Sequence, residues 1–246
     1  MNVDAYAVLA KNYDLLMEDV PYGRWINFIA AIADKMPKLQ VSIVDVGCGT
    51  GTVALGLRQR GFSVIGLDGS SEMLALARSK ADEMKLTLPL LHCDFTDLNL
   101  SADMVISTCD GINHLLAPKE LIKFFRRTHT CLSSCGYLIF DINSPYKYQQ
   151  ILANNVFAWK KNGLDIVWIN QYAAPINQAE ITLYSHVEKR SWNKASFAIV
   201  QRCHQLSTLI YYLQHTGFRL EGLWDNYSCR GITPKAQRIT LVAQKL

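Results

Sequence analysis

The segment VDVGCGTGT, from Val44 to Thr52, constrains this chain more than any other. The apolar run VSIVDV (41–46) meets three glycines in five positions, and a helical pattern starts at Thr52. The run is short, continuous and rich in Val and Ile, which predicts a strand buried on both faces. A glycine-rich turn from such a strand into a helix lets a ligand approach the backbone, and the helix N-terminus favours negative charge. Dinucleotide sites use Gly-x-Gly-x-x-Gly. Here the spacing is Gly47-x-Gly49-x-Gly51, one residue tighter. A second buried strand, FSVIGL (62–67), ends at Asp68, whose carboxylate can bind ribose hydroxyls in either kind of site.

The surrounding pattern supplies the scaffold. Gly61 ends the first helix near Gln59. Ser70 and Ser71 can cap the helix SEMLALARSKADEM, LPLLHC (88–93) and ADMVIS (102–107) read as strands three and four, and Pro118 fits the first turn of KELIKFFRRTHTCL. GYLIFDI (136–142) is strand five. Strands alternating with helices imply a parallel α/β sheet covered on both faces. The rhythm then changes to period two. DIVWINQY, EITLYSHVEKRSW and SFAIVQR read as antiparallel strands, with Asn162-Gly163 and Asn193-Lys194 as turns. After the helix LSTLIYYLQHT, residues 218–225 and 237–245 close the chain as strands. The organisation expected is an α/β domain of residues 1–144 plus 204–246, with a helical cap (1–36) split at Pro21, and an inserted antiparallel β lid of residues 145–203.

Half of the 246 residues are hydrophobic and 19% are charged, so a packed core is expected. The net charge of +4 is spread along the chain with no basic run, which argues against a nucleic-acid partner. No apolar run approaches the roughly 20 residues that span a bilayer. The N-terminus lacks a charged region followed by an apolar one, and the seven cysteines form no C-x-x-C pair. A cytoplasmic protein with reduced thiols and no membrane association is the expectation.

The ligand question is decided further along. Strand three leads into Cys93-Asp94-Phe95. Asp94 can accept from an adenine amino group, and Phe95 can cover the ring or present its backbone N–H. Strand four leads into Thr108-Cys109-Asp110-Gly111. A ligand touching the ends of strands one to four lies across the carboxyl edge of the sheet.

VDVGCGTG, GLDGS, CDF and DMVISTCDGINHLL together resemble the class I S-adenosylmethionine-dependent methyltransferases. YAVLAKNYDLLMEDVPYGRW resembles the N-terminal helices of their bacterial small-molecule branch, which includes YqeM-like proteins and sugar-amine and glycine-type N-methyltransferases. The resemblance covers nearly the whole chain and is weakest in the insertion. It implies a Rossmann-like seven-stranded sheet in the order 3-2-1-4-5-7-6, strand seven antiparallel. It places Gly47, Gly49 and Gly51, with Cys48, along the methionine and ribose of S-adenosyl-L-methionine, Asp68 with Gly69 and Met73 at the ribose and adenine, Asp94 and Phe95 at the adenine, and Thr108 and Cys109 behind the sulfonium. Tyr13 and Trp25 would close over the methionyl end, and Tyr6 is a weaker match to the same aromatics. The product would be S-adenosyl-L-homocysteine.

Methyl transfer from a sulfonium needs orientation and sometimes a base, and the sequence shows no metal-ligand pattern. The first titratable side chains after strand four are Asp110 and His114. His114 has the pKa range of a base, or it serves the backbone at the following helix start. Asp141, Asn143 and Tyr146 should also face the cleft. Glycine-type enzymes would carry an arginine near Asn143, and none stands there, which speaks against a simple amino-acid acceptor. The function expected is methyl transfer to an N or O atom of a small-molecule acceptor, a homodimer being allowed. A methyltransferase for RNA or protein, and a non-methylating binder of the same cofactor, remain open.

Overall fold

The computed structural model describes residues 3–188 and 191–246. Its main sheet is built outward from β1 (Ser42–Val46), which pairs in parallel with β2 (Ser63–Asp68) and β4 (Ala102–Ser107). β3 (Leu90–His92) extends one edge and β5 (Leu132–Asn143) the other. β11 (Arg238–Lys245) lies antiparallel to both β5 and β10 (Phe218–Asp225). The order β10-β11-β5-β4-β1-β2-β3 is the seven-stranded order expected, with the last strand reversed.

Alternation along the strands divides the core. Ile43, Met104, Ile106, Ile139 and Val242 face α2 (Tyr22–Ala33) and α3 (Thr52–Gln59). Val44, Val105, Leu138, Phe140 and Leu241 face α5 (Pro118–Cys131) and α6 (Leu206–His215). The expected cap of α4 (Ser71–Glu83) is made by Ser70, whose hydroxyl accepts from the Met73 N–H at 3.2 Å.

The insertion forms a second, antiparallel sheet in the order β6 (Val156–Lys161), β7 (Leu164–Ala173), β8 (Ile176–Glu188) and β9 (Ser191–Arg202). A π-helical turn, Lys147–Leu152, joins it to β5. Asn162 and Gly163 make a two-residue reversal between β6 and β7, both with positive φ (46° and 83°). Asn193 and Lys194 do not turn. They pair with Ser185 and Tyr184 inside β9, because the apolar pairs Ile181–Phe197 and Leu183–Ala195 set a different register. Residues 189–190 of the strand expected there lie outside the described residues.

α1 (Val3–Leu16) lies against the insertion: Ala5 and Leu9 pack with Leu164, Ile166, Ile181, Leu183 and Phe197. Its other side is tied to the main domain through Lys80 of α4, whose ammonium meets the Asp14 carboxylate at 2.9 Å. Among the described residues no helix is long and apolar enough to cross a membrane.

One residue of β1 breaks the apolar pattern. Asp45 is fully buried and neither carboxylate oxygen has a hydrogen-bond partner. Burial, reinforced by the nearby Asp68 charge, pushes its pKa from 3.8 to about 7. A carboxyl whose pKa is raised on folding destabilises the fold as pH climbs through the window between the two values. The loss runs at about 1.4 kcal/mol per pH unit. Asp45→Asn should therefore match wild type in urea denaturation near pH 4.5 and exceed it at pH 8. Equal stability at pH 8 would show that Asp45 has a compensating partner.

Candidate active site

The glycine turn shapes the first wall of the site. Gly47, Gly49 and Gly51 all have left-handed φ, 73°, 55° and 77°. A Cβ on Gly47 would come within 3.0 Å of the Phe95 ring, and one on Gly51 within 3.1 Å of the Ala77 Cβ. Gly51 thus sets helix packing and does not line the cavity. At Gly49 a Cβ would stand in open space, inside the cavity that its backbone borders. Asp68 holds the turn from below, accepting from the Gly49 N–H at 2.7 Å and the Ser70 N–H at 2.8 Å. Burial raises its pKa, and those backbone donors offset only part of the effect.

Three spaces follow one another along the carboxyl edge. An open groove of about 540 Å³ is bordered by Asp94, Phe95, Asp97, His114 and Lys123. A smaller cavity of about 50 Å³ shares Phe95 and His114 with it and adds Gly47, Gly49, Asp68, Met73, Thr108, Cys109, Tyr6 and Tyr13. A third cavity, about 300 Å³, shares Tyr6, Tyr13 and Cys109 with the second. Its walls are largely apolar: Leu9, Leu16 and Val20 from the N-terminal region, and Trp159, Ile166, Trp168, Ile181 and Ile199 from the insertion. Its polar side carries Asp110, Asn143, Lys147, Gln201 and Arg238.

Most of those polar groups belong to one buried network. Cys109 and Asp110 hold φ of 59° and 54°, unusual for side-chain-bearing residues. Their consecutive N–H groups point to one carboxylate, that of Asp141, with Cys109 at 3.1 Å. Arg238 then bridges Asp141 and Asp110 at 2.7 Å each. Gln201 donates to the second Asp110 oxygen at 2.6 Å and to His114 Nε2 at 3.2 Å. Because a carboxylate only accepts, this fixes the Gln201 amide, and its oxygen takes the Tyr148 hydroxyl at 2.9 Å. His114 Nε2 is therefore an acceptor, and it also takes the Tyr6 hydroxyl at 2.8 Å.

The electrostatics follow the same network. Burial alone would raise the Asp110 carboxyl, but Arg238, Lys147 and Gln201 outweigh it and hold it below the usual range. Burial lowers His114 to about 4, against the opposing pull of Asp110. Burial, aided by Asp110, raises Tyr6 well above its ordinary value, so it stays a hydroxyl.

The family model described as a methyltransferase domain matches residues 43–136. A methyltransferase-named protein of Geobacillus sp. (strain WCH70) is 28% identical over 98% of this chain and 99% of its own. The structure of an S-adenosylmethionine-dependent methyltransferase from Clostridium acetobutylicum ATCC 824 covers 98% of both chains with a TM-score of 0.88 and 26% identity. The chain is an S-adenosylmethionine-dependent methyltransferase. The methyltransferase also shares its fold with S-adenosylmethionine-bound CalS10, an amino pentose methyltransferase from Micromonospora echinaspora (TM-score 0.70, 18% identity, 92% and 90% coverage).

The residues of the methyltransferase suit that cofactor. Asp68 is a half-buried carboxylate that enters no ion pair among the described residues, and Gly49 leaves the space a side chain would fill. Asp94 uses Oδ1 to accept from the Thr96 N–H and hydroxyl, at 2.8 and 2.7 Å, so Oδ2 is left for a ligand. Phe95 does not present its ring to the groove alone: the ring packs on Phe124 and beneath Gly47. Gly69 offers its carbonyl to His92 at 3.0 Å. Cys48 is buried against Gly66 and does not border the cavity.

Tyr13 borders both inner cavities, its hydroxyl 3.7 Å from the Cys109 sulfur. Trp25 does not. It is fully buried, stacked on Tyr227 at 5.0 Å, bonded through Nε1 to Asn226, and covered by the Arg238 guanidinium at 5.1 Å. Its place is behind the ion network. His114 borders the outer groove and the small cavity but not the 300 Å³ one. Sequence reasoning missed Tyr6 in part, and Lys147, Gln201 and Arg238 entirely. The signal for Arg238 was a cation opening an otherwise apolar terminal strand.

Arg238 bridges two buried carboxylates, so Arg238→Met strands both. The variant should lose about 3–5 kcal/mol of stability at neutral pH. The deficit should shrink in acid, where the carboxyls protonate, as urea midpoints at pH 7.5 and 5 would show. A deficit equal at both pH values would mean that lost packing, not charge, dominates.

Proposed function

We propose that this methyltransferase transfers the methyl group of S-adenosylmethionine to the neutral amine nitrogen of a small metabolite with an apolar body. The observation that carries the reading is the 300 Å³ cavity that meets the cofactor space at Tyr6, Tyr13 and Cys109. In this reading Asp68 takes the ribose hydroxyls, Met73 borders the adenosine, Asp94 and the Phe95 backbone receive the adenine, and the Gly47–Gly51 turn with Thr108 and Cys109 flanks the methionyl part. α1 and residues 145–203 act as a lid over the acceptor. Arg202 anchors that lid, donating to the Leu116 carbonyl at 2.9 Å while its own carbonyl takes the Asn113 amide at 2.8 Å.

Bound S-adenosylmethionine brings a methyl group already activated for in-line displacement. What remains for the chain is orientation, closeness and a dry pocket. The Tyr6 hydroxyl spends its proton on neutral His114, so its oxygen is free to accept an N–H of the acceptor and aim the nitrogen lone pair. The largely apolar walls of the cavity disfavour a charged ammonium and keep an incoming amine in its reactive neutral form. A hydroxyl acceptor would need a strong base, and Asp110 is held ionised but weakly basic. His114, at about 4 and outside the acceptor cavity, positions Tyr6 and does not abstract a proton. The fold shared with the sugar N-methyltransferase KedS8 (TM-score 0.73, 20% identity) supports an amine acceptor.

Two measurements test this. Asp68→Ala should weaken S-adenosylhomocysteine binding on the order of 30-fold or more by calorimetry, since charge-assisted hydrogen bonds are lost. Unchanged affinity would displace the ribose from Asp68. For the chemistry, Tyr6→Phe and His114→Ala should each lower kcat about 10-fold, and the double variant little further, because they act as one unit. Neither should remove a break from the profile of kcat against pH, since His114 is already neutral above pH 5. A wild-type break near pH 6.5 that vanishes in His114→Ala would make His114 the base.

A further inference from the structure

Lys147 stands apart from the other charges of the acceptor cavity. It follows β5 on the first turn of the π-helical segment, and its ammonium reaches the Asn143 side-chain oxygen at 2.8 Å. That is its one hydrogen bond through the side chain, and among the described residues it enters no ion pair. Asp110 and Asp141, the nearest acids of the network, are both committed to Arg238. Lys147 borders that cavity on its polar side, with Asp110, Asn143, Gln201 and Arg238, while the remaining walls are largely Leu, Ile, Val and Trp side chains, and it also borders an outer pocket with Asp225 and Lys235. Burial and the Arg238 charge both work against its protonation, and Asp110 only partly compensates. A half-buried ammonium with unused donors is poorly solvated unless something enters to pair with it.

We infer that the methyl acceptor carries a carboxylate that docks on the Lys147 ammonium, with its amine at the Tyr6 and Cys109 end of the same cavity. This rests on the reading that the 300 Å³ cavity holds the acceptor. A single lysine held by one amide suits a singly charged carboxylate. The guanidinium that would suit a phosphate is already bound on both sides. The tryptophans and aliphatic residues between the two polar ends require an apolar body between the amine and the carboxylate.

The test uses a series of amino carboxylates with aliphatic or aromatic bodies of increasing length, such as 4-(aminomethyl)benzoate, each beside its carboxamide. Binding is read by tryptophan fluorescence with S-adenosylhomocysteine present, and turnover by transfer of a labelled methyl group. At least one carboxylate should bind and accept methyl about 10-fold or more better than its carboxamide. Lys147→Met should erase that preference and Lys147→Arg should retain much of it. Carboxylates and carboxamides that bind alike, or a preference that survives in Lys147→Met, overturn the inference and leave the cavity as the acceptor site. The wild-type comparison decides this even if a variant misfolds. If no member of the series binds wild type at all, the acceptor reading of the cavity falls, and the role of Lys147 falls with it.

Discussion

A guanidinium between two carboxylates fixes the floor of this site. Arg238 enters from the reversed strand β11, Asp141 from β5, and Asp110 from the turn after β4. Left unpaired in the interior, any of these charges would cost several kcal/mol. Held together, they order everything around them. Asp141 collects the two N–H groups of the left-handed Cys109–Asp110 pair, which compensates the backbone strain. Asp110 fixes the Gln201 amide, Gln201 fixes the His114 lone pair, and His114 holds Tyr6. One chain of hydrogen bonds therefore runs from the core sheet through the insertion to the N-terminal helix.

That chain explains how one helix can serve two spaces. α1 packs its apolar side on the antiparallel sheet and is tied to α4 by the Lys80–Asp14 pair. Tyr6 and Tyr13 project from it to the place where the two inner cavities touch. Between them the middle cavity keeps a volume of about 50 Å³. Reaction in a dry pocket then depends on groups already oriented before the acceptor arrives.

The sequence revealed what local chemistry dictates. The Gly47–Gly51 turn, Asp68, the Ser70 cap and the Asn162-Gly163 hairpin each follow from a few adjacent residues, and the period-two pattern marked the insertion. The reversed last strand came with the family resemblance. What sequence hid is long-range pairing. Arg238 is 97 residues from Asp141 and 128 from Asp110, and Gln201 is 87 from His114. No local pattern announces such partners. Trp25 was misplaced for a related reason: an aromatic on a cap helix packs wherever the fold offers a ring, and Tyr227 offers one. The turn expected at Asn193-Lys194 failed because cross-strand apolar pairs outweighed turn propensity.

The central claim is that methyl donor and acceptor meet at Tyr6 and Cys109. A crystal structure with S-adenosylhomocysteine tests it most directly. The account predicts the sulfur at the shared wall of the two inner cavities, within about 5 Å of the Tyr6 hydroxyl, so that an acceptor atom in the 300 Å³ cavity could approach to roughly 3–3.5 Å of the methyl carbon. A sulfur turned toward the outer groove beside Asp97 and Lys123, with the inner cavity cut off from it, would contradict the account.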